Sequence, residues 1–276
     1  MEIRYSADPV RFETMNTESI RENFLAENLF AKDKLELIYS DQDRVIFGSA
    51  VPADKSITLG AFDELRCDYF CQRRELGVLN IGKAGIIIVD DKTFEMSPGD
   101  GLYVGMGSRE IEFKSADVNS PAEFYLISYP AHKEYPTTHA RKADAQAVEL
   151  GTIEQSNKRT IYKYIYPGGI ESCQLVMGFT ELAAGCVWNT MPAHTHERRM
   201  EVYLYYNMNK SDRVFHLMGK PQETRHVVVA DRQAVISPSW SIHSGVGTGA
   251  YTFCWGMGGE NQDFSDMDGV EIANLK

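Results

Sequence analysis

Two short segments of this chain carry side chains that can hold a metal ion. The first reads Pro192-Ala-His194-Thr-His196-Glu-Arg-Arg-Met-Glu201, and the second reads Ser237-Pro238-Ser-Trp-Ser-Ile-His243. Along an extended strand successive side chains alternate faces, so His194 and His196 point the same way. Glu201 has the wrong parity to join them on one unbroken strand, so a turn or bulge within 197–200 must reset the phase. Two imidazoles and a carboxylate from neighbouring strands, joined by the imidazole of His243, make four N/O ligands. Zn2+, Fe2+, Mn2+ and Ni2+ all accept such a set, and a cation held there acts as a Lewis acid on a substrate oxygen.

Other residues near these ligands are candidates for binding or proton transfer. If the strand that begins at His194 continues, Arg198 faces inward, where its planar fork can hold a carboxylate. From Glu201 the same parity brings Tyr203 and Tyr205 inward, with hydroxyls able to orient a substrate. Glu197 has outward parity, and Lys163 in Ile161-Tyr-Lys-Tyr-Ile165 is a further candidate. The sequence does not choose a general base among them. His132 and His139 fall in a polar stretch and read as solvent-exposed, whereas His216 and His226 sit near strands and read as packed or hydrogen-bonded. The five cysteines contain no C-x-x-C pair, which favours buried thiols over disulfides and a reducing, cytoplasmic setting.

The elements that must position these residues are mostly strands. With 276 residues the chain is long enough for two domains of ordinary size. Residues 16–30 form the clearest helix, with Asn16 or Thr17 as cap and Ile20, Phe24 and Leu25 on one face. Short strands follow at 34–40 and 44–50, two more within 76–90 joined at Gly82-Lys-Ala-Gly85, and another at 92–96 before the turn Ser97-Pro-Gly-Asp100. Such spacing predicts a sandwich or barrel. The polar, proline-punctuated stretch 129–159 reads as an interdomain connection, and the tail from Ser265 carries no strong signal. An internal repeat is visible as well. Phe94–Gly107 resembles Ala234–Gly247 at an offset of 140, and Arg73-Arg74-Glu75 resembles Arg198-Arg199-Met-Glu201 at an offset of 125. Two similar β domains in tandem are therefore expected, at 1–135 and 136–276. The repeat sets Tyr69 and Cys71 opposite His194 and His196, and Tyr103 opposite His243, so the first domain is expected to keep the barrel without the metal.

Composition excludes several classes of partner. Asp and Glu outnumber Lys and Arg by 39 to 28, a net charge of −11. No global basic field exists to bind nucleic acid or an anionic membrane. Apolar runs such as Ile86–Val89 fall far short of the ~18–20 residues of a membrane span.

The two-part pattern resembles the cupin superfamily, whose first motif runs H-x-H-x(3,4)-E and whose second runs P-x-G-x2-H; Trp240 stands where the glycine is usual. Longer segments are similar to the bacterial 5-keto-4-deoxyuronate isomerases, also called 4-deoxy-L-threo-5-hexosulose-uronate ketol-isomerases. These are Arg73–Gly77, Glu171–Leu175, Trp188–Val202, Gly219–His226, Ile236–Gly247 and Asp266–Asp268, spread over essentially the whole chain. The resemblance implies an all-β fold of two tandem cupin barrels (double-stranded β-helices of jelly-roll type) with a short N-terminal helix. It implies one Zn2+ per chain on His194, His196, Glu201 and His243, and a homohexamer. The implied activity interconverts 5-dehydro-4-deoxy-D-glucuronate and 3-deoxy-D-glycero-2,5-hexodiulosonate in pectin degradation. On this reading the partner is a small anionic sugar acid, with Arg198 and Tyr205 as substrate-binding residues. The same ligand set also suits a metal-dependent cupin dioxygenase or a non-catalytic sugar-binding cupin.

Overall fold

The computed structural model describes all 276 residues, Met1–Lys276. Strands dominate, as the alternating pattern and frequent turns require. Asn16 caps a helix as expected, its side chain accepting from the Ser19 amide, but the helix covers only Thr17–Phe24 and a shorter one, Pro9–Thr14, precedes it. Leu25, assigned by periodicity to the helix, instead begins the two-residue strand Leu25–Ala26, which pairs with Val235 and Ala234. Sheet pairing outweighs helix periodicity there.

The chain forms two compact units that do not follow a single cut. One comprises residues 1–4, 29–146 and 164–176; the other comprises 5–28, 147–163 and 177–276. The N-terminal helices thus belong with the C-terminal barrel. Phe12 packs edge-on against both Phe24 (5.6 Å) and Trp240 (5.3 Å), which gives the tryptophan in the second metal motif a packing role. The stretch 129–159 is also more than a connection, since Thr138–Ala140 pairs with Gly101–Tyr103 as an edge strand.

Each unit is a β sandwich of jelly-roll type. In the first, a seven-stranded sheet runs Glu2–Arg4, Leu35–Ser40, Ile46–Ala50, Phe124–Pro130, Arg74–Asn80, Gly101–Val104, Thr138–Ala140 in spatial order. Its companion runs Ile57–Thr58, Ile111–Ser115, Gly85–Val89, Lys92–Met96. Between them lies an apolar core that includes Leu76, Val78, Ile87, Val104, Phe113 and Phe124. The second seven-stranded sheet runs Gln146–Leu150, Arg159–Ile165, Val176–Leu182, Thr252–Gly259, Arg199–Tyr206, Gln233–Ser237, Leu25–Ala26. Its companion runs Trp188–Asn189, Ser244–Gly247, Val214–Lys220, Glu223–Val229. No helix is long and apolar enough to cross a membrane.

The register tests the repeat. Arg74–Asn80 and Arg199–Tyr206 hold the same place in their own sheets, and each opens on a buried arginine, so the match at offset 125 is structural. The match at offset 140 is not. Leu76 pairs with Val104 as Glu201 pairs with Ser237, so Gly101–Val104 corresponds to Gln233–Ser237. Tyr103 therefore does not stand where His243 stands. The strand that corresponds to Ser244–Gly247 is Ile111–Ser115, an interior strand of its four-stranded sheet. Similar Ser-Pro turns recur after different strands because turn chemistry is local and topology is not.

Candidate metal centre

His194 lies in the two-residue strand His194–Thr195, which pairs with Asp268–Gly269 from the tail. His196 follows, and after two residues at the surface the strand Arg199–Tyr206 begins. Glu201 is the third residue of that strand, paired with Ser237 on one side and Met257 on the other. His243 immediately precedes Ser244–Gly247. The phase reset between His196 and Glu201 brings all four side chains together: each offers one ligand atom, and these atoms lie within 4.8 Å of one another. Glu201 Oε1 is 2.9 Å from His196 Nε2 and 3.6 Å from His243 Nε2, and the Nε2 atoms of His194 and His243 are 3.0 Å apart. A tetrahedral ion with ~2.0–2.1 Å bonds sets its ligands roughly 3.3 Å apart, so these separations suit a shared cation.

Hydrogen bonding supports the same fit. The Nδ1 of His196 lies 2.9 Å from the Arg199 carbonyl, which can only accept, so the imidazole donates there. In the neutral ring this leaves the Nε2 lone pair facing a carboxylate oxygen, an arrangement that needs a cation or a proton between the two atoms. The second oxygen of Glu201, Oε2, is buried and has no hydrogen-bond partner. An orphaned buried carboxylate oxygen is costly unless something positive meets it. Three imidazoles and a carboxylate are a donor set that Zn2+ and its divalent neighbours accept.

The electrostatics keep most of this set in ligating form. Burial opposes ionisation of Glu201, but the surrounding imidazoles of His243, His196 and His194 outweigh it and hold the carboxyl well below its usual range. Burial pushes His243 down to about 3 despite the attraction of Glu201, and it lowers His194 as well. His196 moves the other way, because its hydrogen bond to Glu201 overcomes the effect of burial. Burial also raises Tyr203 far above its normal value, so its hydroxyl stays protonated and lies 3.3 Å from Thr190 Oγ1.

A cavity of about 440 Å3 opens beside the cluster, lined by His194, Glu201, Tyr203, Arg199, Arg159 and Lys163 among others. Arg198 is not part of it. Its side chain is 60% exposed and lies 3.8 Å from Glu260, because the extended run breaks before Arg199 and the inward parity passes to Arg199, Glu201, Tyr203 and Tyr205. Tyr205 is inward but lies behind the cavity wall, its hydroxyl 2.8 Å from His216 Nδ1. Neither of the two residues expected to bind substrate lines this cavity. Arg199, 1% exposed, pairs with Asp266 (2.7 Å) and Asn261 (2.9 Å). Asp266 belongs to a tail that also contributes Phe264 and Met267 to the wall, so the segment without strong periodicity covers the site. Only the motif Asp266-Met-Asp268 pointed to it.

Lys163 does line the cavity, its Nζ 5.5 Å from the Phe264 ring. His216 is fully buried and bonded to Tyr205 as a packed histidine, and His226 is exposed beside Phe215. His132 is exposed, but His139 is half-buried, 3.4 Å from Asp100. The cysteines are all free, and Cys71 sits in the apolar core, where burial pushes its thiol up to about 12.

The model of the KduI/IolB family matches residues 71–272. This chain belongs to the KduI/IolB family. Proteins named 4-deoxy-L-threo-5-hexosulose-uronate ketol-isomerase are similar to it from end to end. The one from Lachnoclostridium phytofermentans is 54% identical over 276 residues, covering 100% of both chains. The one from Shouchella clausii is 55% identical with the same coverage, and that of Escherichia coli O157:H7 is 51% identical over 278 residues. With them, this KduI/IolB member is an isomerase. Among solved structures, an IolB-like protein from Salmonella typhimurium superposes with a TM-score of 0.72 at 16% identity, covering 90% of this chain and 97% of that one. An oxalate decarboxylase from Lactobacillus farciminis gives 0.58 at 10% identity, with 89% of each chain covered. These two similarities bear on the fold, which is that of two cupin barrels.

Proposed function

We propose that this KduI/IolB member is a zinc-dependent ketol isomerase interconverting 5-dehydro-4-deoxy-D-glucuronate and 3-deoxy-D-glycero-2,5-hexodiulosonate in pectin breakdown. The observation that carries this reading is the meeting of His194, His196, Glu201 and His243 at a cavity, in a chain similar over its full length to ketol-isomerases. The reaction shifts a carbonyl from C1 to C2 of a short sugar acid, so a proton leaves C2 and one arrives at C1. His194, His196, Glu201 and His243 would hold the ion, and a bound Zn2+ supplies Lewis acidity toward the substrate's carbonyl oxygen without redox change.

The chain's own residues do the rest. Trp255, Phe253, Met257 and Phe264 give the cavity an apolar wall that limits water around the reacting carbons. Tyr203, protonated throughout the working pH range, holds a hydrogen-bond donor at that wall. Arg199, locked by Asp266 and Asn261, keeps the tail in place over the site. The same family resemblance supports a cytoplasmic homohexamer with one Zn2+ per chain, which light scattering and metal analysis would check.

The test is to supply freshly generated unsaturated-uronate product to the purified protein and follow formation of the 2,5-diulosonate. Turnover should persist without oxygen and vanish in His194→Ala. Turnover that requires O2, or binding without conversion in the zinc-loaded protein, would overturn the proposal.

A further inference from the structure

A desolvated guanidinium is ordinarily met by a carboxylate or by a full set of acceptors. Two of the buried arginines in this chain obey that rule. Arg199 is met by Asp266 and Asn261, and Arg74 by the Ser128 hydroxyl and the carbonyls of Arg44 and Ser128. Arg159 does not. It is half-buried in the cavity wall, and its one partner is the Asn157 carbonyl, 2.9 Å from Nη1. No carboxylate pairs with it, in a chain where acidic residues outnumber basic ones by 39 to 28. Burial draws its pKa below the ordinary arginine value, with Tyr203 and Tyr251 acting the other way.

Arg159 is also aimed. Along the strand Arg159–Ile165, residues 159, 161 and 163 share one face, and all three line the cavity. Tyr162, on the other face, stacks on Phe179 with ring centroids 4.7 Å apart and planes 13° from parallel. That stacking fixes the rotation of the strand, and the Asn157 carbonyl anchors one nitrogen of the fork. A guanidinium carries five N–H donors, so most of the fork remains to address a ligand. The cavity that Arg159 shares with the four-ligand cluster, about 440 Å3, lies within the ~300–1,000 Å3 range of small-ligand sites.

We infer that Arg159 is the seat of the substrate's carboxylate, binding the 2-oxo-acid end while the carbonyl end of the same molecule faces His194, His196, Glu201 and His243. The assignment rests on the ketol-isomerase reading for its substrate but on the unpaired guanidinium for its chemistry, namely recognition of a carboxylate. It makes Arg159 a specificity-determining residue: it selects sugar acids over neutral sugars of the same length.

The experiment compares wild type with Arg159→Met, which keeps an apolar stem in the wall, and with Arg159→Lys, which keeps the charge without the fork. Zinc content and circular dichroism establish that the variants are folded and loaded. Loss of a charge-assisted hydrogen-bonded pair lowers affinity by about 10–100-fold. For Arg159→Met, kcat/KM for the deoxy-keto-uronate should fall by that amount, chiefly through KM, with partial recovery in Arg159→Lys. Separately, 2-oxobutyrate, which reproduces the 2-oxo-acid end, should raise the melting temperature of wild type and not of Arg159→Met. An unchanged KM together with an unchanged 2-oxobutyrate shift in a folded Arg159→Met protein would overturn the inference, as would a loss confined to kcat. If wild type fails to turn the uronate over yet shows the Arg159-dependent shift, the isomerase reading falls and the carboxylate seat stands.

Discussion

Glu75 and Glu201 are both buried, at 0% and 3% exposure, and both lie near the start of the fifth strand of their own seven-stranded sheet. Their surroundings differ completely. Glu75 accepts from the Tyr103 hydroxyl at 2.8 Å and from the successive amides of Cys173, Gln174 and Leu175 at 2.7, 2.7 and 2.8 Å. Both of its oxygens are satisfied by donors, so it pegs the segment 173–175 to the strand. Glu201 faces imidazole nitrogens and keeps one oxygen without a partner. Parity separates the two. Glu75 lies on the face opposite Leu76 and Val78, which fill the first barrel with hydrocarbon. Glu201 lies on the same face as Tyr203 and Tyr205, in an interior that also holds His216 and Asn189. One strand geometry thus supports a packed core or a polar cavity, and the choice depends on which residues carry the inward parity.

The sharpest way to break this contrast is to remove the ligand. Glu201→Gln and His243→Ala should each strip the metal, and losing several kcal/mol of transition-state stabilisation lowers kcat/KM by about 1,000-fold or more. Metal analysis alongside kinetics checks this, and retention of zinc with full activity would contradict the assignment.

Glu75→Gln should do the reverse. Turning an amide NH2 toward backbone N–H donors costs about 2–4 kcal/mol, seen as a lower melting temperature, while zinc content per folded chain stays at the wild-type value. Were zinc lost and stability kept, the peg and the ligand would have been assigned the wrong way round.

Protonation sharpens the comparison from another side. His216 is fully buried, and burial pushes its pKa down to about 3. Its folded pKa lies below its unfolded value, so the unfolded state binds the extra proton between those two values, and stability falls as pH drops through that window. One such group contributes a slope of about 1.4 kcal/mol per pH unit. In urea denaturation of the metal-free protein between about pH 4 and 6, His216→Gln should flatten the profile by about that slope. An unchanged slope would show that the histidine is not held neutral by the barrel.

The smallest effect is expected at Arg198. Arg198→Ala removes an exposed group whose contact with Glu260 is 3.8 Å long, and stability should change by less than about 0.5 kcal/mol. A large rise in KM would return Arg198 to the substrate site.

Much of this protein was legible from its residues, and the gaps have physical causes. The cap at Asn16, the turn at 82–85 and the paired imidazoles of His194 and His196 are matters of residue type and local spacing, which act over a few residues. The need for a phase reset before Glu201 was readable from parity alone. Where the reset falls was not, because breaking the strand before or after Arg198 differs only in which arginine becomes buried, and the Asp266 partner that decides it is remote in the chain. The Ser-Pro repeat misled for a related reason: a turn records its own backbone demands, not the sheet position of the strand beside it. The tail and Arg159 reach the cavity only through pairing with distant segments, such as Gly269 with His194. Residue chemistry and parity therefore specified what could bind a cation, whereas long-range strand register decided which charges join it, since a single-residue shift in register turns every side chain to the opposite face.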